Sequence, residues 1–469
     1  MTQNASAQIR FISRWLAPLA LALSFSAATA FGQTYFTEGD LVVSTYGVGG
    51  GFIDGVPTPI SLLEFTTSGN LVMTDTLPTA DSGINFGIVG EYGSSSEANL
   101  QLTENDQALV ISGYQADASY AGIGSPGGLG YSNENGDALA QSNADLVPRL
   151  VAEVGYNGVA NVSTQFNGTY NQNNPRSVWS ATGATFYISG QGNSTNDQGI
   201  YTINRGNNTV AGSPMPTPIS SNTGLATRVV SEYNGNLYYS VDVKKAATGI
   251  FEYTGVPTGV ATARQILPAN NGLTGSNEVF YSPDGFYFAN TTTLYVADTG
   301  DPKNKGVGDG GIQKWSLSSG TWTLDYTLTP GNFFPNFNDS TNSTADGEVG
   351  FESITGDVIG GNVDLFAVSY TLGDADADGL YTITDPLNAL TETGEDADFD
   401  EIATAPGIGD DSTPTAIGGE VFKSVTFAPV PEPSTYALLF GAASLGLMAW
   451  KRRKTSQSYT APPSRISPL

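Results

Sequence analysis

A glycine followed by a short run of aromatic and β-branched residues occurs four times in the chain: Gly199-Ile200-Tyr201-Thr202-Ile203, Gly249-Ile250-Phe251-Glu252-Tyr253, Gly311-Ile312-Gln313-Lys314-Trp315 and Gly379-Leu380-Tyr381-Thr382-Ile383. Such a run reads as a strand leaving a turn. A second strand type lies upstream of each, at Thr185–Gly190, Asn236–Val241, Thr293–Asp298 and Asp364–Ser369. Two further copies, Gly39–Ser44 and Gln107–Tyr114, bring the count to six. Ahead of four of these lies another strand that ends in a turn: Arg176–Gly183, Arg228–Gly235, Val279–Gly285 and Gly350–Gly356. A short repeated unit of this kind cannot bury its faces alone and must stack on its neighbours.

Strand, glycine turn, strand, variable loop, strand and a weaker fourth strand is the plan of a propeller blade. The repeat, measured between second strands, is loose, at roughly 50 to 80 residues. The first copy, near Gly39, lacks an upstream inner strand, while Val421–Pro429 resembles an inner strand with no blade after it. Ring closure resolves both: Phe422 to Phe427 supplies the inner strand of the first blade, which protects edges that a linear array exposes. The body over 36–429 is therefore read as all-β, a six-bladed β-propeller closed by its C-terminal strand. A seven-bladed ring, with the extra blade inside Tyr114 to Asn174, and a pair of β-sandwiches are the alternatives. No helical period is sustained in the body. Asp117–Asp145, rich in Gly, Ala, Ser and Asn, reads as a long loop on one face.

Charge and residue usage narrow the chemistry. The chain carries a net charge of −27, and its cations are unevenly placed. With the two leader arginines, the five basic residues past position 450 and Glu432 set aside, residues 31–430 keep 11 Lys and Arg against 44 Asp and Glu, a net of −33. A body this acidic repels phosphate backbones, which argues against a nucleic-acid partner. There is no Cys, hence no disulfide and no thiolate nucleophile, and no His, hence no Ser-His-Asp triad or histidine-ligated zinc.

The two ends read as addresses. Arg10 and Arg14, the apolar run Trp15 to Phe25 and the small-residue site Ala28-Thr29-Ala30 form a secretory signal over 1–30. At the other end, Pro431-Glu432-Pro433 is followed by a 16-residue apolar run, Thr435 to Trp450, and then by Lys451-Arg452-Arg453-Lys454. The prolines stop any preceding element and hold an extended segment. The apolar run reads as a transmembrane helix whose flanking cations stop transfer on the cytoplasmic side.

This three-part ending, over 430–454, resembles the PEP-CTERM sorting domain. The resemblance implies recognition by an exosortase at Pro431, Glu432 and Pro433, cleavage there, and delivery to the cell surface or the extracellular matrix. Before processing, the chain is held in the inner membrane. The chain runs fifteen residues beyond the basic cluster, Thr455 to Leu469, farther than family members usually do, and this tail is read as disordered.

One local motif points to a cation. Asp374-Ala375-Asp376-Ala377-Asp378-Gly379, with Asp385 at the twelfth position, matches the first half of a calcium loop. Alternate carboxylates there can face one hard cation while glycine makes the turn. Asp374, Asp376, Asp378 and Asp385 are the candidate calcium ligands. The acidic run Glu395 to Glu401 reads as a solvated loop. No catalytic constellation stands out, and Glu352 and Glu278 have nothing in their surroundings to single them out. The body is read as a non-enzymatic surface propeller that binds or scaffolds exopolysaccharide or another surface-matrix component. The alternative is a calcium-dependent carbohydrate- or lactone-active enzyme working in the propeller funnel.

Overall fold

The computed structural model describes residues 35–431 except 49–51, 53–54, 93–95, 116–137, 221–224, 243–247, 269–280, 301–309, 331–347, 372–377, 393–398 and 406–418. The chain divides into Met1–Gln33 and Thr34–Leu469, and every described residue lies in the second unit. The signal segment 1–30, the apolar run Thr435 to Trp450 and the tail 455–469 therefore lie outside the described residues. So does most of the expected loop at Asp117–Asp145, which keeps a short 3-10 turn at Leu139–Gln141. Among the described residues no helix is long and apolar enough to cross a membrane.

All six expected second strands form, and each lies inside its own antiparallel sheet. Blade one holds β1 (Leu41–Tyr46), β2 (Ile60–Phe65) and β3 (Leu71–Thr76). In blade two the inner position is split between β4 (Ile88–Val89) and β5 (Gln101–Leu102), followed outward by β6 (Ala108–Gln115), β7 (Arg149–Gly155) and β8 (Ala160–Phe166). Blade three is β9 (Pro175–Trp179), β10 (Thr185–Gly190), β11 (Gly199–Asn204) and β12 (Thr217–Pro218). Blade four is β13 (Thr227–Tyr233), β14 (Asn236–Val241), β15 (Gly249–Tyr253) and β16 (Arg264–Gln265). Blade five is β17 (Pro283–Asn290), β18 (Thr293–Asp298), β19 (Gly311–Ser318) and β20 (Thr321–Leu328). Blade six is β21 (Glu348–Ile359), β22 (Asn362–Thr371), β23 (Gly379–Pro386) and β24 (Asp400–Thr404).

The last strand, β25 (Val421–Phe427), returns to blade one. It pairs antiparallel with β1, from Leu41 opposite Phe427 to Tyr46 opposite Val421. The ring closes by side chains as well: Leu41, Val43 and Phe65 of blade one pack with Phe366, Val368 and Leu380 of blade six, and with Phe422 and Val425 of the closing strand. Equivalent apolar layers fill the other five blade-to-blade seams. Second strands are buried on both faces because alternate residues serve different seams. Phe186 and Ile188 of β10 face blade two, while Tyr187 between them faces blade four.

The glycine that heads the third strand in blades three and four has a steric cause. Gly249 has φ +139°, and a Cβ on it would lie 2.5 Å from the carbonyl oxygen of Leu267. Gly199, at φ +102°, is crowded in the same way by Ser220. Only glycine lets the fourth strand close onto the third here.

Two expectations change. The segment Tyr114 to Asn174 holds β7 and β8, the outer strands of blade two, and the described residues form six sheets, so the seven-bladed alternative falls. The first strand of blade five, expected at Val279–Gly285, runs instead over Pro283–Asn290. Pro-Asp-Gly carries a turn signature, but here these residues enter the strand, and the turn to β18 falls after Asn290.

Candidate functional site in the central channel

The innermost strand of five of the six blades carries a charged side chain at a corresponding place, where its register with the next strand shifts. These are Arg176 on β9, Arg228 on β13, Asp284 on β17, Glu352 on β21 and Lys423 on β25. Blade two, whose inner strand is broken, contributes Glu97 from the turn before β5. Three cations and three carboxylates thus meet on the axis. Glu97 interacts electrostatically with Lys423 and Arg176, and Arg176 with Arg228 and Asp284, so groups from non-adjacent blades converge.

The charges are paired across the seams. Lys423 Nζ lies 3.2 Å from Glu352 Oε1 and also sits 4.7 Å from the centre of the Tyr92 ring. Arg228 donates through Nη1 to Asp284 at 2.9 Å and through Nη2 to Asp242 at 2.8 Å, and Ser282 donates to the same Asp242 oxygen at 2.7 Å. Arg176 donates to Gln191 at 2.7 Å and to the Thr227 carbonyl at 3.3 Å. Tyr114 donates to Glu97. Water is nearly excluded: Glu97 is 2% exposed, Glu352 3% and Arg176 5%.

Burial sets the proton affinities. It raises the Glu97 carboxyl to about 7, against the opposing hydrogen bonds from Tyr114 and Asn174 and the nearby Lys423 and Arg176. It also raises Glu352 well above the usual carboxylate range, with Lys423 opposing. Arg176 falls to about 10 through burial and the neighbouring Arg228 charge. Burial works against the charge on Arg228 too, but Asp284 and Asp242 outweigh it and raise its pKa. The axis is therefore a buried set of paired charges in which burial favours the protonated forms of Glu97 and Glu352.

The expected site residues fall elsewhere. Val430 donates its amide to the Asp106 carbonyl at 2.7 Å, and Ala428 donates to Asp40 at 2.8 Å. Pro431 follows at once, half-buried and without an N–H. Glu432, Pro433, Lys451, Arg452, Arg453 and Lys454 lie outside the described residues. The Pro431-Glu432-Pro433 tripeptide thus begins one residue past the last backbone hydrogen bond among the described residues.

Of the four candidate calcium ligands, the two that fall among the described residues, Asp378 and Asp385, lie at opposite ends of one strand. Asp374 and Asp376 lie outside the described residues. Asp378 is buried just ahead of β23, and its Oδ1 has no hydrogen-bond partner among the described residues. Burial raises its pKa, partly offset by the Phe422 amide and Lys423. Asp385 is at the other end of β23, which is extended throughout and paired with β22 from Leu380 to Pro386. Seven residues of strand separate the two carboxylates by roughly 23 Å. A calcium loop must curl back on itself, and this strand does not.

Asp385 is also committed to other partners. It accepts from Lys314 Nζ at 2.7 Å, from the Tyr326 hydroxyl at 2.7 Å and from the Tyr295 hydroxyl. Lys314 is fully buried and gives a further bond to the Pro386 carbonyl at 2.6 Å. The network ties blade five to blade six. Among the described residues no group of three or more acidic side chains could hold a metal.

The fold and the ending define a class: an all-β, six-bladed propeller closed by its C-terminal strand and followed directly by a sorting segment. Residues 429–454 match the PEP-CTERM protein-sorting motif. The motif makes the chain an exosortase-sorted surface protein. No curated protein sequence matches the chain. Among solved structures, a putative 6-phosphogluconolactonase from Bacteroides fragilis is 12% identical with a TM-score of 0.40, covering 83% of this chain and 98% of its own. The β-propeller domain of the Trilobed protease from Pyrococcus furiosus, described as an open velcro topology, is 6% identical with a TM-score of 0.30, covering 75% and 83%. A GH43 endo-arabinanase from Bacillus licheniformis is 19% identical with a TM-score of 0.26, covering 47% and 72%. At these scores the likenesses carry no argument about activity, since propellers serve enzymes and binding proteins alike.

Proposed function

We propose that the mature protein is a surface-displayed binding propeller that holds exopolysaccharide or another matrix component and acts without catalysis. The observation that carries this reading is the junction at Val430, where the sorting tripeptide starts as the ring ends. Cleavage there releases a complete propeller to the outside. What supports a non-catalytic role is that, among the described residues, Glu352 and Asp284 on the axis are buried against Lys423 and Arg228.

The test is fractionation of cells expressing the full chain and a Pro431, Glu432, Pro433→Ala variant. The parent protein is expected at the surface or in the medium, and the variant in the inner-membrane fraction. Equal distribution of the two would remove the sorting step from the account.

A second reading, a calcium-dependent carbohydrate- or lactone-active enzyme, draws support from Asp378, whose buried Oδ1 has no hydrogen-bond partner among the described residues and suits a cation shared with Asp374 and Asp376. Calcium-dependent turnover of a sugar lactone or glycan by the purified chain, abolished in Asp376→Ala, would replace the binding reading with this one.

A further inference from the structure

The seam between blades four and five opens at one end of the ring into a cleft of about 180 Å³. Its floor is Phe288, which is 8% exposed. Tyr233 lies parallel on that ring, with centroids 4.7 Å apart and planes 7° apart, and Trp322 meets it edge-on at 6.1 Å. Tyr233 and Trp322 are only half-buried, so part of each aromatic surface remains open to the cleft. The polar wall is a single buried carboxylate with its partners. Glu252 accepts from Asn236 at 3.3 Å and pairs with Arg264 at 2.5 Å, while Arg264 itself is 69% exposed.

We propose that this cleft seats one pyranose ring of a neutral oligosaccharide, and the proposal rests on the matrix-binding reading above. The lining excludes the alternatives by its chemistry. An ion needs an uncompensated charge, but Glu252 and Arg264 cancel. A lipid tail needs an apolar lining throughout, yet one wall here is a fixed set of donors and acceptors. A pyranose presents a C–H face and a rim of hydroxyls, each of which both donates and accepts. The positive edge of its C–H bonds suits the negative face of an aromatic ring. The hydroxyl rim suits the open part of the Arg264 guanidinium and the Asn236 amide. Charge selects further: the acidic body disfavours uronate-bearing chains and leaves neutral ones.

Calorimetric titration of the full chain with maltohexaose and cellohexaose, and with trigalacturonate as the charged counterpart, tests the assignment. Saturable binding of a neutral hexamer is expected, weakened at least tenfold in Trp322→Ala, retained within about threefold in Trp322→Phe, and weakened in Arg264→Ala, with unchanged melting temperatures. Binding of a neutral hexamer equally by the parent and by Trp322→Ala would overturn the cleft while leaving the matrix-binding reading intact. Binding of trigalacturonate alone would overturn the choice of a neutral ligand. Binding of none of the three would overturn the inference and remove its glycan basis, and the fractionation test would still decide sorting.

Discussion

Lys423, on the strand that closes the ring, and Glu352, on the inner strand of blade six, meet at 3.2 Å with almost no exposure to solvent. The first and last blades are thereby joined by charge on the axis, in addition to the backbone ladder and the apolar seam. Removing one partner leaves the other buried without its counter-charge. Lys423→Met is expected to lower stability by about 3–5 kcal/mol, read as a fall in the urea midpoint, and a Lys423→Met, Glu352→Gln double variant is expected to recover much of it. A single variant as stable as the parent would show the pair to be incidental.

Glu97 gives the channel a pH dependence of known sign. Its carboxyl is raised from 4.5 to about 7 in the folded chain, so the native state holds a proton that the unfolded state has released. This contribution to stability is complete below about pH 4.5 and is lost as pH rises through about 7. Glu97→Gln keeps an acceptor for Tyr114 and cannot ionise. The stability difference between Glu97→Gln and the parent should therefore grow in favour of the variant between pH 5 and pH 8. Parallel curves over that range would rule out the buried proton.

The network at Asp385 separates structure from ion binding. Asp385→Ala strands Lys314, a buried cation, and is expected to destabilise by about 3–5 kcal/mol while leaving any calcium heat in calorimetry unchanged. On the calcium-dependent reading, Asp376→Ala is the variant that would lose any such heat. Loss of calcium heat in Asp385→Ala at a temperature where the variant is folded would restore Asp385 to the ion site.

Gly249→Ala tests the strand-heading glycines. At φ +139° with a Leu267 oxygen 2.5 Å from the new methyl, blade four must shift. A loss of about 1–3 kcal/mol is expected, seen as a lower melting temperature. An unchanged melt would mean that the fourth strand moves away at no cost.

The blades were legible because period-2 runs headed by glycine record burial on two faces directly, and Val421–Phe427 stood out as a strand with no sheet of its own. The charged axis was not legible. A lone Arg176, Asp284 or Lys423 beside turn residues looks like a solvated strand end, and only the ring brings six of them together. The signal was present as one charge at a corresponding place in five inner strands, but blade two broke it by using Glu97 from a turn. Asp385 misled for a related reason. Spacing along the chain suggested a loop, whereas the ladder with β22 holds that stretch extended. Of the seven cations among the described residues of the body, four are drawn inside: Arg149, Arg176, Lys314 and Lys423 are all buried.

The central claim is that the ring is complete before the sorting tripeptide begins. Mass spectrometry of the mature protein recovered from cells, followed by its thermal melt, tests this most directly. The predicted result is a C-terminus at or beyond Val430, with β25 intact and a melting temperature equal to that of the uncleaved chain. A mature C-terminus upstream of Val421, or a melt that falls on processing, would contradict it.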